Sequence, residues 1–138
     1  MKINYARWPG DVDYKGNVDS SNVTIAGVHY HRHPNGGGLV SDTAKVAETA
    51  FVGVNAKVSG NAQVYGKALV FGKALVSGKA QVYGDARVYG NAKVYGDAKV
   101  SGDAQVYDDA QVFGDARVFG CARVSGYGLV SGSNNVSS

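Results

Sequence analysis

The chain has 138 residues, room for one domain, and its 20 glycines, 2 prolines and 44% hydrophobic content exclude a disordered or collagen-like polymer. A formal charge of +3, scattered along the sequence, is too diffuse for a surface built to grip a phosphate backbone, so nucleic acid is not expected as a partner. No run reaches the roughly 18 apolar residues that span a bilayer. MKINYARWPGDVDYKG lacks the apolar stretch of a secretory leader, and a lone Cys121 excludes an intrachain disulfide framework. The expectation is no membrane partner and a cytoplasmic chain, or one assembled there into a phage particle.

Residues 1–38 carry no repeat and are expected to form a separate N-terminal cap segment. Within them, Ile3 to Trp8 predicts a short strand closed by Pro9-Gly10, Asp11 to Ser21 is polar and turn-rich, and Val23 to His33 predicts one strand stopped by Pro34. All three histidines fall in Val28-His29-Tyr30-His31-Arg32-His33. Alternation along a strand puts His29, His31 and His33 on one face, with neighbours about 6.5 to 7 Å apart, so an adjacent pair can grip one metal but all three in one chain cannot. On a threefold axis, an H-x-H pair from each of three chains offers six imidazoles, an octahedral set suited to iron or another transition metal.

From residue 39 to 138 a period of six takes over. A valine stands at every sixth position from Val40 through Val88 to Val136, an alanine two residues before most of them, and a glycine two residues after most. The unit reads A-x-V-x-G-[DNK]. Six is neither a helix nor a hairpin period; it fits a solenoid in which each unit is one short strand and one corner, and three units complete a coil. Alternation turns Ala and Val inward and the residues flanking Val outward. The Gly with its Asp, Asn or Lys forms the corner, where positive φ is needed.

This pattern, as in Val88-Tyr89-Gly90-Asn91-Ala92-Lys93, resembles the left-handed parallel β-helix of the hexapeptide-repeat superfamily. That superfamily includes acyltransferases, γ-class carbonic anhydrases, structural proteins and phage or bacterial chains, and Pro34-Asn35-Gly36-Gly37-Gly38-Leu39-Val40 looks like the lead-in of some of its uncharacterised members. The resemblance implies an all-β, left-handed prism of about five coils behind a short N-terminal cap, and commonly a homotrimer of parallel prisms. The H-x-H run is similar to the metal-bound sites near the tips of trimeric phage tail spikes.

Sorting residues every eighteen reads out the three outer faces. Beside Val52, Val70, Val88 and Val106 stand Phe51, Leu69, Phe71, Tyr89 and Tyr107, an apolar face and the expected subunit interface. A second face carries Leu39, Leu75, Tyr95, Phe113 and Leu129, diluted by serines and lysines. The third carries Tyr65, Tyr83 and Phe119 among Lys45, Gln63, Gln81, Lys99 and Arg117. Tyr65, Tyr83 and Tyr95, with Lys and Arg beside them, are candidates for stacking a nucleotide-like planar anion in the groove between prisms. At the corners, Lys67 is expected over Asp85 and Lys79 over Asp97. The weakening repeat after Tyr127 leaves an end that another protein can cover.

A catalytic reading has little to stand on. An acyltransferase needs a general base, and no histidine follows His33, so it would have to borrow one from the cap. A γ-class carbonic anhydrase needs three histidines on different coils. Thr ladders, which suit an ice-binding face, are missing, with threonine only at positions 24, 43 and 49. No catalytic residue is assigned. A non-catalytic structural or interaction module, spike-like or scaffold-like, ranks first; a trimeric small-ligand binder and an acyltransferase using a cap histidine remain as alternatives.

Overall fold

Strands two residues long cannot stand alone and need neighbouring strands to pair with, and a period of eighteen supplies that pairing. The computed structural model describes residues 22–137. It is all β: after β1 (Asn22–Ile25), β2 (Val28–Arg32) and β3 (Leu39–Ser41), every strand from β4 (Lys45–Val46) and β5 (Phe51–Val52) to β19 (Asn135–Val136) consists of the valine and the residue before it. Up to β16, each pairs in parallel with the strand eighteen residues on, Leu69 with Arg87 and Val70 with Val88 for example. The result is three sheets, of eight, six and five strands, wound into about five stacked coils of a β-solenoid.

The interior is as monotonous as the sequence. Val52 through Val118 and Ala62 through Ala116, at their six-residue spacing, have no exposed surface. Burying a valine side chain contributes about 1.5 kcal/mol or more, and here the same contact is renewed in every coil. The alanines follow the corners and are buried beside the valines. At the corners the glycines from Gly60 to Gly132 hold φ between +62° and +69° and stack directly on one another. A Cβ at Gly78 would stand 2.8 Å from the Gly96 nitrogen, so both its backbone conformation and the coil above it demand glycine. Asp108 is the exception, a non-glycine corner at φ +59°, and its carboxylate accepts a hydrogen bond from the Gly126 amide at 3.1 Å. The first corners lack glycine altogether; there the Thr43 and Thr49 hydroxyls donate to the carbonyls of Gly60 and Gly66 in the next coil.

The stretch expected as one strand from Val23 to His33 is instead a hairpin. It turns at Ala26-Gly27, both at positive φ (+52° and +80°), the pairing a tight two-residue hairpin needs. β2 then lies antiparallel on β3, with Tyr30 opposite Ser41, and extends the eight-stranded sheet past the first coil. Tyr30 is buried, and the Lys57 ammonium stands 5.6 Å from its ring centre. The glycine-rich segment that follows closes the edge of β5: Val52 N–H donates to the Asn35 carbonyl (3.0 Å) and the Val52 carbonyl accepts from Gly38 N–H (2.9 Å). Gly36 and Gly38 are required by this approach, since a Cβ at either would stand 2.2 to 2.3 Å from the atoms of residues 52 and 53. The strand expected over Ile3 to Trp8 lies outside the described residues. Among the described residues no helix is long and apolar enough to cross a membrane.

Candidate functional site

The outward residues form two columns on each sheet, one before and one after the buried valine. On the five-stranded sheet the column after the valine stacks Phe71 on Tyr89 (centroids 4.8 Å apart, planes within 2°) and Tyr89 on Tyr107 (5.1 Å, 5°). The spacing is that of the coils themselves, so the backbone sets the rings in register without further adjustment. The column before the valine starts apolar with Phe51 and Leu69 but continues with Arg87, Gln105 and Arg123. The face expected to be apolar throughout is therefore apolar only toward its N-terminal half, and its ring ladder is flanked by two guanidinium groups and an amide. The Tyr89 hydroxyl donates to Gln105 in the next coil (3.1 Å), fixing one ring of the ladder.

Along one edge of this sheet runs an open groove of about 390 Å³ lined by the corner residues Lys67, Asp85 and Asp103 and the face residues Leu69, Arg87 and Gln105. Both signs of charge lie within it, but the expected pairs of Lys67 with Asp85 and Lys79 with Asp97 do not close. Among the described residues the only ion pairs within 4.0 Å are those of Asp42. The stacking is present in the backbone, with Lys67 N–H on the Gly84 carbonyl and Asp85 N–H on that of Gly102, while the exposed side chains reach into water instead.

The other two sheets carry shorter ladders. Tyr95 stacks on Phe113 (5.0 Å) on the eight-stranded sheet, its hydroxyl donating to Gln111 (3.0 Å). Tyr65 stacks on Tyr83 (4.9 Å, 1°) on the six-stranded sheet. Partial burial and the neighbouring Tyr83 phenol push the Tyr65 phenol above its ordinary pKa. The three tyrosines named as ligand candidates thus lie on two faces: Tyr65 and Tyr83 together, Tyr95 apart.

The histidines separate into a pair and a single residue. His29 and His31 project from the outer side of β2, and both point Nδ1 at one carboxylate: His29 to Asp42 Oδ2 at 2.6 Å, His31 to Oδ1 at 3.1 Å. A carboxylate only accepts, so both imidazoles carry their proton on Nδ1 when neutral and leave the Nε2 lone pair available, the orientation of a general base or a metal ligand. Hydrogen bonds from His31 and His29 hold the Asp42 carboxyl below its ordinary pKa, against a desolvation that acts the other way. His33 lies past the end of β2, buried, with Nε2 donating to the Ala50 carbonyl at 2.8 Å; Asn35 Nδ2 donates to the same oxygen at 3.1 Å. Its ring serves the cap and does not join His29 and His31. Among the described residues of the single chain, no group of three or more His, Cys, Asp or Glu side chains is placed to hold a metal ion. Asp42 is the partner that sequence reasoning missed. Its place beside the histidines depends on the antiparallel register of β2 and β3.

The model of a family described as the YdcK beta solenoid repeat matches residues 62–78, 80–96 and 110–126, each stretch just short of one coil. The chain is a hexapeptide-repeat β-solenoid. No curated protein and no solved structure matches it. The matched stretches of the solenoid carry most of its ring ladders, Tyr65 with Tyr83 and Phe71 with Tyr89 among them, and lie beyond the histidine pair.

Proposed function

We propose that the solenoid is a non-catalytic, rigid interaction module that assembles as a homotrimer through its five-stranded sheet and the groove along that sheet's edge. The observation that carries this reading is the ladder of Phe71, Tyr89 and Tyr107, continuous over three coils and joined to Phe51 and Leu69 on one flat face. A second copy is the partner that matches this face best, because another prism of the same chain repeats at the same coil spacing and can meet every rung. The flanking groove offers Lys67 and Arg87 beside Asp85 and Asp103, so a second copy finds both charge signs to pair with. Aromatic rings with arginines at the rim are a common composition for such contacts. The regular, fully buried interior gives the module its stiffness, and a spike-like or scaffold-like role follows from that shape.

The test is the mass in solution of the wild type and of the Phe71→Glu/Tyr89→Glu variant, by light scattering coupled to size exclusion. Two carboxylates in the centre of the face convert a trimer to monomers while the far-ultraviolet spectrum stays unchanged. A variant that keeps the wild-type mass rules this face out as the interface.

A further inference from the structure

Of the three ladders only the one on the six-stranded sheet is interrupted. The column after its valines reads Ala47, Tyr65, Tyr83, Ser101, Phe119, each seated on the coil that follows: Tyr83 N–H donates to the Val100 carbonyl, and Ser101 N–H to that of Val118. Ser101 thus occupies a rung that its neighbours fill with rings. Tyr83 and Phe119 are left two coils apart, about 9.6 Å, with one ring missing between them. A planar ring inserted midway would lie about 4.8 Å from each. That matches the 4.8 to 5.1 Å at which the rings of this protein stack on one another.

The slot is a depression of about 260 Å³ lined by Tyr83, Lys99, Ser101, Arg117 and Phe119. Its charge is of one sign. In three of the tyrosines of these ladders, Tyr65, Tyr89 and Tyr95, the hydroxyl donates to a glutamine sixteen residues on; at Tyr83 that position is Lys99, which has nothing to accept with. Neither Lys99 nor Arg117 has a carboxylate within 4.0 Å among the described residues, although Asp97 and Asp115 stand at the corners two positions before them. Two cations therefore flank a ring-sized gap with their donors uncommitted.

We propose that this slot binds a planar aromatic ring carrying one anionic group, with nucleoside 5′-monophosphates as the ligand class. The base takes the missing rung between Tyr83 and Phe119, and the phosphate accepts hydrogen bonds from Lys99 and Arg117. The site lies on a different sheet from the proposed subunit interface and goes beyond that reading.

Calorimetric titration of the full chain with adenosine 5′-monophosphate, adenosine and ribose 5-phosphate tests it. The monophosphate binds most tightly, adenosine about tenfold more weakly for each cation it leaves unused, and ribose 5-phosphate not measurably. Ser101→Phe fills the rung and abolishes binding; Lys99→Ala/Arg117→Ala weakens the monophosphate by about a hundredfold, to the affinity of adenosine, while leaving adenosine unchanged. If Ser101→Phe fails to fold, the double alanine variant decides alone. Absence of binding to the wild type, equal binding of monophosphate and ribose 5-phosphate, or wild-type affinity in either variant overturns the proposal.

Discussion

Gly78→Ala is the sharpest perturbation of the coil geometry. Gly78 sits at φ +66°, a conformation that costs an alanine about 1 kcal/mol or somewhat more. The added Cβ would lie 2.8 Å from the nitrogen and 3.0 Å from the oxygen of Gly96, both backbone atoms of the next coil, which cannot rotate away as a side chain would. Relief requires lifting one coil from the other at that corner, where the Lys79 N–H to Gly96 carbonyl bond (2.8 Å) is lost or stretched at a further cost of about 1 kcal/mol. The sum is at least about 2 kcal/mol, a fall in Tm of roughly 6 to 10 °C for a chain of this size. The control is Lys79→Ala, one residue on, exposed and without an ion pair, which leaves Tm within about 2 °C. Thermal unfolding followed by circular dichroism measures both. Equal Tm values for Gly78→Ala and the wild type would refute stacked corners at this spacing.

In the interior, Val88→Ala removes about 1.6 kcal/mol of transfer free energy and leaves a cavity that rigid neighbouring coils cannot collapse, for a total of about 2 to 3 kcal/mol by urea denaturation. His33→Ala/Asn35→Ala leaves the Ala50 carbonyl without either donor. Hydrogen exchange of the Val52 amide, which donates to Asn35, then quickens by about tenfold or more, while exchange in the central coils is unchanged. The Asp42 carboxyl, lowered in the folded chain, contributes stability that is present above its unfolded pKa of about 3.9 and lost as pH falls through its folded value. Below about pH 4 the wild-type hairpin therefore loosens, seen as faster proteolysis at Ala26-Gly27, and Asp42→Asn removes that pH dependence.

The six-residue valine register carried the fold in plain view, because the long-range contacts of a solenoid repeat a single separation: each residue meets its counterpart eighteen positions away. Ala62, Val64 and their successors could be set inside and Phe71, Tyr89 and Tyr107 outside by alternation alone. The N-terminal hairpin was less legible because its turn places Ala26, not an asparagine or aspartate, at positive φ, which leaves the lone Gly27 to mark the break in Val23 to His33. The pairing of Asp42 with His29 and His31 spans 13 and 11 residues and exists only once β2 folds back on β3. His33 shares the alternation of its neighbours but falls beyond the strand, and it turns inward to a carbonyl at the edge of β5. The expected lysine and aspartate pairs at the corners failed for a different reason: stacking brings the backbones together, but exposed side chains gain too little from pairing to give up their freedom. The missing rung at Ser101 was present in the sequence as a ring, a small residue and a ring at eighteen-residue spacing. It became meaningful only when Lys99 and Arg117 were seen to line the same slot.

Native mass spectrometry of the wild-type chain tests the assembly most directly. The account predicts a species of three times the 14.3 kDa chain mass, held together through the face of Phe71, Tyr89 and Tyr107. A single 14.3 kDa species at all accessible concentrations would contradict it and leave the ladders as self-stabilising surface.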